Sequence, residues 1–140
     1  MFLPYLSGER TPHNNPNAQG VFLGLKHEHG NVELTQAVLE GVSYAFGDCQ
    51  KVLIDAGAEI EDVSLIGGGS RSRIWAQILA SVLNQPLLRH IAPDLGPALG
   101  AARLGILAVN NGSLEETCLR PKFSITIDPI RSHSDQYQLG

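Results

Sequence analysis

Residues 64–75 read SLIGGGSRSRIW, and the folding of this stretch decides the architecture around it. Val63 to Ile66 form a short apolar-rich run bounded by glycine, which predicts a buried strand over 63–66. Gly67, Gly68 and Gly69 then predict a turn through residue 71. From Ser72 onward Ile74, Trp75, Ile78, Leu79, Val82 and Leu83 recur on one helical face, predicting a helix over 72–84. Glycine after a strand and before a helix allows positive φ and lets backbone N–H groups approach an anion at the helix N-terminus. A plain tight turn satisfies the same pattern, so both readings stay open at this point.

Working outward, a second unit of the same kind follows at once. Residues 87–91 predict a strand, and Asp94 caps a helix over 95–110 that admits Pro97 in its first turn and stops at Asn111-Gly112. That helix carries Ala98, Gly100, Ala101, Ala102, Gly105 and Ala108. Glycine inside a helix costs about 1 kcal/mol relative to alanine, so close approach by a backbone or a ligand is expected on its Gly100 face. On the other side, apolar spacing from Leu34 to Ala56 predicts a helix over 33–56, with Asn31 as its cap, Glu33 at the positive end of the dipole and Gly57 as its stop.

The order helix, strand, helix, strand, helix predicts an α/β layer with parallel strands joined by right-handed crossovers. Residues 1–32 are loop-rich, with Val21-Phe22-Leu23 as a short buried strand or turn. Residues 33–112 hold the α/β core, and residues 113–140 form a tail with a strand over 123–127 and a polar, turn-like end. Two or three strands leave an open edge and an uncovered face, so further strands are expected on chain outside these 140 residues. Exposed apolar surface and association, as in a homodimer, follow from the same deficit.

Rival phosphate motifs are testable directly. No GxxxxGK[ST] pattern occurs, which removes a P-loop. A dinucleotide fingerprint needs a third glycine where Ser72 stands and an acidic residue at the end of the next strand, where Arg89, His90 and Ile91 stand instead. The second glycine segment, residues 94–103, begins a helix at the same end of the sheet as the first. Two helix N-termini then face one crevice outside the carboxyl ends of neighbouring strands, where open α/β sheets bind ligands.

At this level of detail the residues resemble a family. GGGSRSRIWAQILASVLNQPL followed by DLGPALGAARLG is similar to the nucleotide side of the FGGY carbohydrate kinases. Gly20, Phe22, Gly24, Leu25, Glu33, Leu34, Ala37, Val38, Leu39 and Glu40 are spaced like a second signature of that family, and the opening FLPYLSGERTPHNNPNAQG has its character. The resemblance implies a carboxy-terminal part of an actin-like (ribonuclease H-like) ATPase domain, with ATP bound in the cleft between two such domains. The DLGPALGAARLG form implies a member that phosphorylates D-xylulose to xylulose 5-phosphate; another pentose or polyol, or a non-catalytic nucleotide-binding or interaction module, is the alternative. Gly67, Gly68, Gly69 and Ser72 would meet the nucleotide, with Gly68 and Gly69 against the α-phosphate and ribose and Ser72 where many relatives place an adenine-reaching asparagine. Gly96 and Gly100 would support that side. The cofactors implied are ATP and Mg²⁺. The aspartate base and the sugar pocket would lie upstream, so no catalytic residue is assigned here and the chain alone is expected to be inactive.

The remaining signals are weaker. The formal charge of −4 excludes non-specific attraction to nucleic acid or an anionic membrane. No apolar run approaches the roughly 18 residues of a membrane helix, and Cys49 and Cys118 form no CxxC pair, so a cytoplasmic setting is expected. His27-Glu28-His29 lacks a third ligand, so no metal site is assigned. Glu9 and Asp94 are explained by loop anchoring and helix capping. Arg71 and Arg73 read as exposed surface arginines, Trp75 as a core residue rather than a base-stacking platform.

Overall fold

The computed structural model describes residues 1–91, 96–110 and 113–138. Its centre is the unit read first. Strand β3 (Val63–Leu65) leads through a 3-10 turn (Gly68–Arg71) into helix α2 (Arg73–Leu83), which returns to strand β4 (Leu87–His90). The two strands pair in parallel, Val63 opposite Leu87 and Leu65 opposite Arg89, as a helical crossover requires. The inward face of α2 supplies Ala76, Leu79 and Ala80, which close on Leu65 and Leu87 with Val63, Leu83 and Ile127 at the margin. Leu87 and Ala80 are fully buried. The helix ends on Asn84, whose left-handed φ of 49° suits an asparagine stop.

Further out, α3 (Gly96–Asn110) and the single-turn α4 (Leu114–Thr117) precede β5 (Phe123–Ile127). Strand β5 pairs antiparallel with β4, Leu87 opposite Ile127, with an irregularity at Arg89 and His90. The described sheet is therefore β3-β4-β5 and mixed in direction. The polar end read as turn-like forms helix α5 (Arg131–Gln138) instead. Its cause is tertiary: the Ile130 N–H donates to Ser81 Oγ (3.2 Å), Gln77 Nε2 donates to the Asp128 carbonyl (2.7 Å), and the Tyr137 hydroxyl donates to Glu40 (3.3 Å).

Helix α1 (Asn31–Asp55) covers α2 from the other side. Gly30, not Asn31, is its cap residue: Asn31 already lies in the helix, and the Gly30 N–H donates to Glu33 at 2.8 Å. That bond is the main reason the Glu33 carboxyl titrates below its usual range. At the other end Gly57 takes φ 88° and its N–H reaches the Ile54 carbonyl (2.9 Å), the stop expected of glycine. The predicted apolar stripe is only partly covered, since Phe46, Val52 and Leu53 are exposed. Strand β2 (Val21–Phe22) pairs antiparallel with β1 (Phe2–Leu3) and stacks Phe22 on Phe2, ring centroids 4.6 Å apart. It is exposed rather than buried, because no layer covers its outer side among the described residues.

The accessible surface is 9990 Å², whereas a compact monomer of 15.0 kDa presents about 7,000 Å². Helix α3 adds to the exposed apolar surface through Leu99, Leu104, Ile106 and Val109. A Cβ built at Gly100 or Gly105 meets nothing within 4 Å, so the close approach expected on that face is not made among the described residues. The expected cap Asp94 and stop Asn111-Gly112 lie outside the described residues.

Candidate functional site

The turn between β3 and α2 is built by serines acting on glycine carbonyls. Ser70, almost fully buried, donates both its hydroxyl (2.7 Å) and its N–H (3.1 Å) to the Gly67 carbonyl. The Ser72 N–H donates to the Gly69 carbonyl (3.0 Å), and the Ser72 hydroxyl caps α2 by accepting from the Trp75 N–H at 3.2 Å. Ser72 is thus occupied as a helix cap. Sequence reasoning passed over Ser70; a serine three residues after the first glycine of a turn is the signal that could have found it.

The three glycines have different reasons to be glycine. Gly67 has φ 83°, a conformation costly for any other residue. At Gly69 a Cβ would lie 2.8 Å from Trp75 Cε3 and closer still to Cζ3, so the indole occupies the space of a side chain. Neither reason applies to Gly68. It has no positive φ, is exposed, and a Cβ there would meet only an Arg71 guanidinium nitrogen, 3.7 Å away. Among the described residues, neither the Gly68 nor the Gly69 N–H has a hydrogen-bond acceptor. Two adjacent amide donors therefore lie at the carboxyl end of β3, beside the N-terminus of α2. Such an arrangement accepts anionic oxygen.

Gly96, the first residue of α3, joins this place: its Cβ would lie 3.1 Å from Ile66 Cδ1 at the end of β3. The structure so brings Gly67, Gly68, Gly69, Ser72 and Gly96 to one end of the sheet, while Gly100 stands in open space. Arg71 and Arg73 flank the turn and are exposed. His90 closes the end of β4; its Nε2 is 2.9 Å from Ser64 Oγ, and its Nδ1 is buried without a partner among the described residues. A hollow of about 620 Å³ lined by Tyr5, Tyr44, Val82 and Tyr137 includes none of Gly67, Gly68, Gly69 or Gly96.

Trp75 is half-buried, packs beside Phe46 with centroids 6.5 Å apart and donates its indole N–H to Ser43 Oγ at 3.0 Å, in keeping with a packing residue. Glu9 anchors its loop by accepting from the His13 N–H at 2.8 Å. His29 accepts from the Lys26 N–H at 3.2 Å. Among the described residues no group of three His, Cys, Asp or Glu side chains is placed to hold a metal ion, and no helix is long and apolar enough to cross a membrane.

Two glycine-bearing helix starts lie at the carboxyl ends of paired parallel strands in this α/β domain, and the chain belongs to the FGGY family of carbohydrate kinases. The family's C-terminal domain matches residues 1–109. The chain is 58% identical over 109 residues to the xylulose kinase of Escherichia coli strain K12, which covers 78% of this chain and 22% of that protein. It is 52% identical over 120 residues to the xylulose kinase of Klebsiella pneumoniae, covering 86% of this chain and 25% of that one. The crystal structure of a xyloylose kinase from Brucella ovis superposes with a TM-score of 0.89 at 44% identity, covering 99% of this chain and 29% of that one. The chain thus spans less than a third of the length of these relatives.

Proposed function

We propose that this chain is the nucleotide-side portion of a cytoplasmic ATP-dependent sugar kinase that converts D-xylulose to xylulose 5-phosphate. The observation that carries the reading is Gly68, the glycine for which the fold supplies no reason, beside two unpaired amide donors. Its missing side chain leaves room for a ligand to reach the backbone. Likeness to xylulose kinases over most of the chain supports the choice of sugar.

In this reading Gly67 to Gly69 receive the α-phosphate and ribose of ATP, with Gly96 forming the neighbouring wall. Ser72 caps α2 through its hydroxyl oxygen and keeps its hydroxyl proton for the adenine side of the nucleotide. Mg²⁺ would travel with the phosphates, supplying charge neutralisation to phosphoryl transfer, and would draw its protein ligands from outside the described residues. The base that takes the sugar hydroxyl proton belongs to the remainder of the kinase, as does the pocket for the sugar. That remainder also accounts for the uncovered apolar face of α3.

The test is titration of the chain with MgADP by calorimetry. Binding should be measurable and should weaken at least tenfold in Gly68→Ala, with the unfolding midpoint nearly unchanged. Equal affinity of the variant and the parent would sink the reading. A coupled assay should find no D-xylulose phosphorylation by this chain alone, and turnover there would overturn the assignment of the base to other residues.

A further inference from the structure

Trp75 is the chain's one tryptophan, and it is held at both ends. Its ring occupies the volume that a side chain at Gly69 would need. Its indole N–H, a donor only, points to Ser43 Oγ on α1 at 3.0 Å. Ser43 is fully buried and spends its own hydroxyl proton on the Leu39 carbonyl, 2.8 Å away. Its oxygen is left to accept, which gives the indole one favoured direction. Serine is a poorer helix former than alanine and competes with the backbone from inside a helix. At position 43 the hydroxyl is therefore a cost to α1 unless its bond to Trp75 has a use.

We infer that Ser43 and Trp75 are positioning residues for the glycine turn, setting through the indole ring the place of Gly69 and with it the direction of the two unpaired amide donors. The inference rests on the nucleotide reading of that turn. Neither residue touches the nucleotide. Helix α1 thereby takes part in the site although its own residues line none of it. The contact is made on this face of α2; the buried serine of α2 itself, Ser81, holds the segment entering α5.

The experiment compares Ser43→Ala, Trp75→Phe, the double variant and Ser81→Ala, each followed by thermal unfolding and by calorimetric titration with MgADP. Ser43→Ala and Trp75→Phe each remove one end of the same hydrogen bond, worth about three- to tenfold in affinity if it orients the donors. The double variant should lose no more than either single one. Ser81→Ala should lower the unfolding midpoint by a similar amount and leave affinity within twofold of the parent. Emission from Trp75 in Ser43→Ala should shift as the indole loses its anchor. Parental affinity in both Ser43→Ala and Trp75→Phe overturns the proposal, as does a loss in Ser81→Ala as large as theirs, which would mark a general effect of stability. Failure of the parent chain to bind MgADP overturns the nucleotide reading itself and the positioning role with it, an outcome distinct from a parent that binds and variants that bind equally.

Discussion

Replacing Gly69 by alanine separates the structural glycine of the turn from the one left to a ligand. The added methyl would sit 2.8 Å from Trp75 Cε3, well inside the roughly 3.5–4.0 Å of an ordinary carbon contact. Cζ3 lies closer still, so the ring must retreat by roughly 1.5 Å. It cannot do so freely, since its N–H is tied to Ser43 at 3.0 Å and its backbone N–H to the Ser72 cap at 3.2 Å. Overpacking of this kind costs about 1–3 kcal/mol, and losing the indole bond adds about 1 kcal/mol. For a chain of this length each kcal/mol lowers the unfolding midpoint by about 3–4 °C, so Gly69→Ala should melt roughly 7–14 °C below the parent. Its Trp75 emission should shift to longer wavelength as the ring meets solvent. Gly68→Ala, with only a 3.7 Å contact to absorb, should melt within about 2 °C of the parent, since removing glycine also restrains the unfolded chain. Thermal unfolding followed by circular dichroism and by fluorescence reads both. Equal melting of the two variants would refute the distinction between the glycines.

Two further outcomes are expected. Leu87→Ala, at a fully buried position shared by strand β4 and the inner face of α2, should cost about 2–5 kcal/mol, read as a lowered denaturant midpoint with little change in slope. The Tyr137 hydroxyl, pushed up to about 12 first by burial and then by the Glu40 carboxylate, lies above the value of about 10 for an unfolded tyrosine; its contribution is full below pH 10 and is lost as pH climbs from there towards 12. Ultraviolet titration of the tyrosinates should show a late step that Tyr137→Phe removes, and a titration unchanged by that substitution would contradict the placement of α5.

What could be read in advance was what short-range chemistry dictates. The apolar spacing from Ile74 to Leu83, with a serine before it and an asparagine after, marks α2 because cap, face and stop all lie within the segment. Gly57 ends α1 for the same local reason. The cap of α1 was misplaced because Gly30 has no capping side chain, and the reciprocal bond comes from Glu33 three residues on. RSHSDQYQ shows little apolar periodicity, and α5 exists through anchors on Ser81, Gln77 and Glu40, far away in the chain. The candidate site was legible as a place but not as a division of labour. Three successive glycines look equivalent until the φ of one and the neighbour of another are known.

The antiparallel strand β5 has a consequence for any excised form of this domain. The match to the family's C-terminal domain covers residues 1–109, while the Brucella ovis structure superposes on 99% of the chain; beyond residue 109, Ile127 lies against the core beside Leu87, and Tyr137 reaches back to Glu40 near the middle of α1. A cut at residue 109, where the domain match ends, would strip β4 of a hydrogen-bonded neighbour and leave Ser81, inside α2, without the amide it receives. The unit that must be kept whole for folding runs at least to residue 137. The match to the family domain and the mechanical unit end in different places.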